Sequence, residues 1–119
     1  MLKDNRGRQI TKPFEIRGAH VTAVASLTTG TAATLLSGDA SYFLDLIQVS
    51  LANSSTVSAS VSLTSDGTTL RTYQIPAGDT LVINYNIPIS QLTKNVPWLV
   101  DMEDITGTTV TVEAEFIKN

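Results

Sequence analysis

Three short segments of this chain alternate strictly between apolar and polar side chains, and that pattern constrains the fold more than anything else in the sequence. In Val57-Ser-Ala-Ser-Val-Ser-Leu63, every odd position is apolar and every even one is serine. In Leu81-Val-Ile-Asn-Tyr-Asn-Ile87, the odd positions Leu81, Ile83, Tyr85 and Ile87 are apolar. In Val110-Thr-Val-Glu-Ala-Glu-Phe116, the even positions are apolar, and Thr111, Glu113 and Glu115 face the other way. Successive side chains of a strand point to opposite faces, so a period of two marks a sheet with one buried and one solvated face. A helix of 3.6 residues per turn would scatter the same residues around its circumference.

The other apolar runs extend the pattern. The segments 20–29, 32–36, 69–75 and 97–102 are predicted strands. Residues 42–51 form the most apolar run, with Phe43, Leu44, Leu46, Ile47, Val49 and Leu51, and are predicted as a central strand covered on both faces. Turn chemistry separates the runs. Asp66-Gly67 suits a tight hairpin, because glycine accepts positive φ. Pro76-Ala-Gly-Asp79 places proline early and glycine later, and Asn53-Ser-Ser-Thr56 and Asp104-Ile-Thr-Gly107 are further turns. Serine and threonine supply 28 of 119 residues, which favours sheet over helix. With 42 % hydrophobic and 16 % charged residues, one core is expected, and the length allows one domain. The expected fold is all-β: an antiparallel sandwich of about eight strands. A jelly roll and an immunoglobulin-like order fit the same string of strands.

Charge divides the chain unevenly. Up to residue 17, Lys3, Arg6, Arg8, Lys12 and Arg17 outnumber Asp4 and Glu15, five against two, for a balance of +3. From residue 18 onward, three basic side chains meet nine acidic ones, for a balance of −6. Residues 1–18 show no periodicity and are punctuated by Gly7, Pro13 and Gly18. They are expected to form a basic extended arm, with a short β segment at 14–17, ahead of a sandwich domain at 19–119. Five cations could neutralise phosphates. Only Phe14 is available for base stacking, though, and the acidic body repels a polyanion, so docking on an acidic protein surface is the expected role.

Chemistry-bearing motifs are few. Cysteine is absent, which excludes disulfides, thiolate metal ligands and a thiol nucleophile. His20 is the single histidine, without motif partners for catalysis, and is expected at a strand edge. No Gly-x-Ser-x-Gly elbow or phosphate-cradling loop occurs. Asp101, Glu103 and Asp104 form the densest acidic cluster, either a weak cation site or a docking point for a basic arm. Asp45, between Leu44 and Leu46, is the acid expected to be partly buried. Trp98 and Tyr73 could stack on a sugar, although core packing is the commoner use of a lone tryptophan. Asn53-Ser-Ser is a formal glycosylation acceptor, read as chance because Met-Leu-Lys-Asp-Asn-Arg does not open a secretory signal. No run of 18 apolar residues is present to span a membrane as a helix.

The order of segments carries a resemblance. A basic Asp4-Asn-Arg-Gly-Arg8 leads to Tyr42-Phe-Leu-Asp-Leu-Ile-Gln-Val-Ser-Leu-Ala-Asn-Ser-Ser55, then to Ser65-Asp-Gly-Thr-Thr-Leu-Arg-Thr-Tyr-Gln-Ile-Pro-Ala-Gly78 and a closing amphipathic strand. This resembles small tailed-bacteriophage virion proteins, especially capsid decoration or cement proteins with jelly-roll-like sandwiches. The resemblance implies a homo-oligomer, often a trimer, that binds the major capsid protein or another virion protein through arms and one end of the sandwich. It implies no catalytic residues and no cofactor. The carbohydrate-binding or host-attachment module of a head or tail fibre is the alternative function.

Overall fold

The strands found in the structure follow the alternation closely. A computed structural model of the chain describes residues 2–3, 9–10, 19–103 and 108–119. Two short strands, β1 (Leu2–Lys3) and β2 (Gln9–Ile10), pair with each other. Eight more follow: β3 (His20–Leu27), β4 (Ala33–Leu36), β5 (Leu44–Asn53), β6 (Ala59–Ser65), β7 (Thr68–Ile75), β8 (Thr80–Ile89), β9 (Trp98–Met102) and β10 (Val110–Lys118). These eight form two four-stranded antiparallel sheets, ordered β3-β10-β5-β8 and β4-β9-β6-β7. The fold is therefore an all-β sandwich. The β segment expected at 14–17 lies outside the described residues.

The pairing shows how the chain is wound. The first sandwich strand pairs with the last (β3 with β10), the second with the seventh (β4 with β9), the third with the sixth (β5 with β8) and the fourth with the fifth (β6 with β7). A long antiparallel ribbon rolled once gives this order, which is the jelly roll and not the immunoglobulin order. The tip of the ribbon is the β6–β7 hairpin, where Ser65 faces Thr68 across a two-residue loop. Asp66 and Gly67 both take positive φ, 53° and 73°, as a loop matched to the right-handed twist of its strands requires.

The core lies between the sheets. Ala59, Val61 and Leu63 of β6 and Val110, Val112, Ala114 and Phe116 of β10 are all buried, as their alternation predicts. Trp98 is wholly buried, its ring centroid 5.3 Å from that of Phe116 and tilted by 48°, a favoured aromatic geometry. Strand β5 is central, as expected, but it starts at Leu44, after Tyr42 and Phe43. Only its first three residues are continuously buried, and the rest alternate.

One alternating segment departs from its pattern. Leu81, Ile83 and Tyr85 pack on the core, whereas Ile87 is 84 % exposed. Between the pairs Gln48↔Asn84 and Leu46↔Ile89, β8 carries four residues where β5 carries one. This bulge takes Ile87 out of register, and Pro88 within it has no N–H to offer. The disrupted ladder blunts β8, an edge strand, against pairing with another chain.

Candidate functional site

Polar side chains inside the sandwich have structural duties. The Gln91 backbone N–H donates to Asp45 Oδ1 at 2.9 Å, and Asn119 Nδ2 donates to Asp45 Oδ2 at 2.6 Å. Asp45 is buried, as expected, and its two oxygens fasten the β8–β9 loop and the C-terminal residue to the start of β5. The Gln91 amide, also buried, accepts from the Leu44 N–H at 2.9 Å and donates to Val96 O at 2.8 Å. Asn53 donates through Nδ2 to Val57 O at 2.8 Å and Ile75 O at 3.2 Å, and accepts from the Ser55 N–H at 3.0 Å. With its amide 2 % exposed and so engaged, Asn53 is a turn organiser and not a glycan acceptor.

The residues expected to stack on a sugar lie in the interior. Trp98 is 0 % and Tyr73 5 % exposed. The Trp98 Nε1–H donates to Leu44 O at 2.8 Å, and the Tyr73 and Tyr85 hydroxyls meet at 2.6 Å where β7 and β8 close one side of the sandwich. Burial, reinforced by the Tyr85 hydrogen bond, pushes the Tyr73 phenol far above the usual tyrosine range. Neither ring offers a face to a ligand. The expectation of a stacking platform at Tyr73 and Trp98 is corrected accordingly: the inter-sheet core takes both rings.

The acidic cluster is only partly described, because Asp104 lies outside the described residues. Asp101 and Glu103 are exposed at the end of β9. Glu103 Oε1 accepts the Ser60 N–H at 2.9 Å while the Glu103 N–H donates to Ser60 O at 3.1 Å, so this carboxylate prolongs the β6–β9 pairing. Among the described residues, no three of His, Asp and Glu gather as a metal-binding group. Of the arm cations, Lys3 falls in β1, and Arg6, Arg8, Lys12 and Arg17 lie outside the described residues.

The structure brings together a surface that the sequence presented as scattered pieces. On the outer face of the β3-β10-β5-β8 sheet, register aligns Val24, Glu113, Ser50 and Val82 in one cross-strand row. Thr22, Glu115, Gln48 and Asn84 form the next. Gln48 Nε2 donates to Asn84 Oδ1 at 2.8 Å, and His20 Nε2 lies 3.4 Å from Glu115 Oε2. His20 is thus at the start of an edge strand, as expected. Val24 and Val82 are 60 % and 53 % exposed at the two edges of the sheet. Between them lies a depression of about 260 Å³ bordered by Ser50, Val82, Glu113 and Glu115. The sequence signal was the pair of glutamates two residues apart on one strand face; their apolar flanks come from β3 and β8, distant in sequence.

No family model matches the sequence, and no curated protein matches it. Among solved structures, the insecticidal delta-endotoxin Cry8Ea1 from Bacillus thuringiensis is similar at a TM-score of 0.50 and 10 % identity, over 79 % of this chain. The chain corresponds to only 19 % of that toxin's length. The carbohydrate-binding module CBM36, in complex with calcium and xylotriose, is similar at 0.45 and 15 % identity, covering 82 % of this chain and 72 % of the module. A chain of the cyanophage Pam1 capsid asymmetric unit is similar at 0.44 and 12 % identity, covering 97 % of this chain and 96 % of that one. The protein is a β-sandwich domain with distant structural similarity to toxin, carbohydrate-binding and phage capsid chains.

Proposed function

We propose that this protein is a non-enzymatic virion structural protein, made in the host cytoplasm, that decorates a phage head and reinforces it through oligomer and arm contacts. The observation that carries the reading is the separation of charge along the chain, +3 up to residue 17 and −6 after it. A copy with a cationic segment and an anionic body can bridge two neighbours at once. The resemblance of the segment order to small phage virion proteins supports the same reading.

The structure adds two supporting features. Among the described acidic side chains, Asp45 and Glu103 are tied into the scaffold, and Glu113 stands on an outer sheet face. Glycoside hydrolysis needs two carboxyls flanking one bond of a bound substrate, a role at odds with the backbone groups that Asp45 and Glu103 hold. In addition, two packed four-stranded sheets present broad outer faces, which suits repeated contacts in a shell. A specific interface buries about 1,200–2,000 Å² in total, and each such contact added across capsid subunits opposes rupture.

Co-sedimentation with phage heads lacking the protein tests the reading. The full chain should pellet with the heads, and a chain lacking residues 1–17 should stay in the supernatant with its β circular dichroism unchanged. Undiminished binding by the shortened chain would refute the arm's role.

A further inference from the structure

The outer face of the β3-β10-β5-β8 sheet is unusual in charge. Glu113 and Glu115 project from a central strand, two residues apart, in adjacent cross-strand rows. No lysine or arginine occurs in β3, β5 or β8, and Lys118, the single one in β10, lies at the strand end with its Nζ 5.7 Å from the Tyr42 ring centroid. The two carboxylates therefore share this face with neutral neighbours and with His20 at one edge. An acidic patch alone calls for no particular partner. Here it is flanked on both sides by exposed valines, Val24 and Val82, with the depression of about 260 Å³ between. Apolar side chains left exposed beside carboxylates suit a ligand that is itself both cationic and aliphatic, because lysine and arginine stems cover apolar surface while their heads find charge.

The same chain supplies such a ligand. Residues 1–17 hold five cations, and Leu2, Ile10 and Ile16 are interspersed among them. Because β1 pairs with β2, the reach is set by residues 10–17, at most about 26 Å if extended. The face is four strands wide, about 15 Å at the usual strand spacing. The segment is long enough to cross the sheet of a neighbour and still reach back to its own body.

We infer that the Glu113–Glu115 face of one copy receives the cationic segment 1–17 of a second copy. The inference rests on the oligomeric shell-protein reading and names the surface and the segment through which copies join. Each copy carries both halves of the contact, so copies join either as a reciprocal pair or head-to-tail, as a ring where the rotation closes. Ion pairs at so exposed a face supply register and salt sensitivity, and the valines supply the dry contact.

Charge exchange in the free protein, without particles, tests this. Analytical ultracentrifugation of the full chain in 50 mM and 500 mM salt should show an oligomer that weakens at least tenfold in the higher salt. Two variants should each be monomeric: Glu113→Lys with Glu115→Lys on the face, and Lys3→Glu with Arg6→Glu and Arg8→Glu on the segment. The milder pair Glu113→Gln with Glu115→Gln, which keeps side-chain shape, should weaken association if the lysine variant misfolds. Mixing the two charge-reversed variants should restore association, because the native segment of one meets the native face of the other, and joining all five substitutions in one chain should likewise restore association between its copies. A monomeric wild type at low salt, or association indifferent to Glu113 and Glu115, overturns the inference. So does a compact wild-type monomer in which a cross-link joins segment and face of one chain. Heads that bind the Glu113→Gln, Glu115→Gln variant while its self-association is unchanged would leave the shell-protein reading standing while this surface fell. Oligomers that form correctly yet never bind heads would do the reverse.

Discussion

The indole of Trp98, at the start of β9, donates its Nε1–H to the carbonyl oxygen of Leu44, at the start of β5, over 2.8 Å. The two residues belong to opposite sheets and are 54 positions apart, so this bond ties the sandwich together at one end. Trp98→Phe keeps an aromatic ring but leaves that carbonyl without its donor. We expect a loss of about 1–3 kcal/mol in urea unfolding, the cost of an unmet buried polar group. Trp98→Ala, which also opens a cavity against Phe116, should cost about 3–5 kcal/mol. Equal stability of Trp98→Phe and the wild type would show that the bond contributes nothing.

Asn53 makes a similar test at the other end of β5. Its amide serves the carbonyls of Val57 and Ile75 and the N–H of Ser55. Replacement by Leu, close in size, abandons all three and should cost at least about 1–3 kcal/mol. Hydrogen exchange should also speed up in the 54–58 loop, where the Ser55 amide loses its acceptor.

Two glycines are needed for different reasons. Gly67 sits at φ 73° in the β6–β7 hairpin with open space around it, so Gly67→Val should cost about 1–2 kcal/mol from backbone strain alone, while Gly67→Asn should be tolerated. Gly38 has no such φ, but a Cβ there would lie 2.5 Å from the backbone of Asn95 and Val96. Gly38→Ala should therefore cost about 1–3 kcal/mol and perturb the β8–β9 loop. Thermal melts of the three variants distinguish strain from crowding if Gly38→Ala alone alters the amide shifts of residues 91–97.

Tyr73 links stability to alkaline pH. Because the folded phenol is held neutral by burial and by the Tyr85 hydroxyl, it keeps its proton where an unfolded tyrosine, with a pKa of about 10, loses it. The unfolded state then binds fewer protons, so the contribution is whole below about pH 10 and is lost progressively as the pH rises above that value. Unfolding free energies measured at pH 8 and pH 11 should fall more steeply for the wild type than for Tyr73→Phe. Parallel slopes would contradict this.

Much of the sandwich was legible because burial writes itself into alternation. Val57–Leu63 and Val110–Phe116 declared both their type and their inward faces, and Asp66-Gly67 marked its hairpin. Strand order was not legible, since alternation fixes which face is buried and leaves open which strand lies alongside. Ile87 was misassigned to the core face for a related reason: four residues opposite one on β5 is a property of a pair. Trp98 and Tyr73 looked available for stacking because a lone aromatic carries no local mark of depth. Gln91, which holds Leu44 across 47 positions, and Gly38, pressed against Asn95 and Val96, gave no local signal at all. The candidate face was half visible, as two glutamates on one strand, and its valine flanks emerged only when β3 and β8 took their places at the sheet edges.

The central claim, a shell protein that joins neighbouring subunits through its basic segment, is tested most directly by a cryo-electron microscopy reconstruction of virions carrying this chain. The account predicts jelly-roll density on the outside of the head, in oligomers, with residues 1–17 traced onto a neighbouring subunit. Purified virions that lack the chain altogether, or hold it with residues 1–17 touching no other subunit, would contradict it.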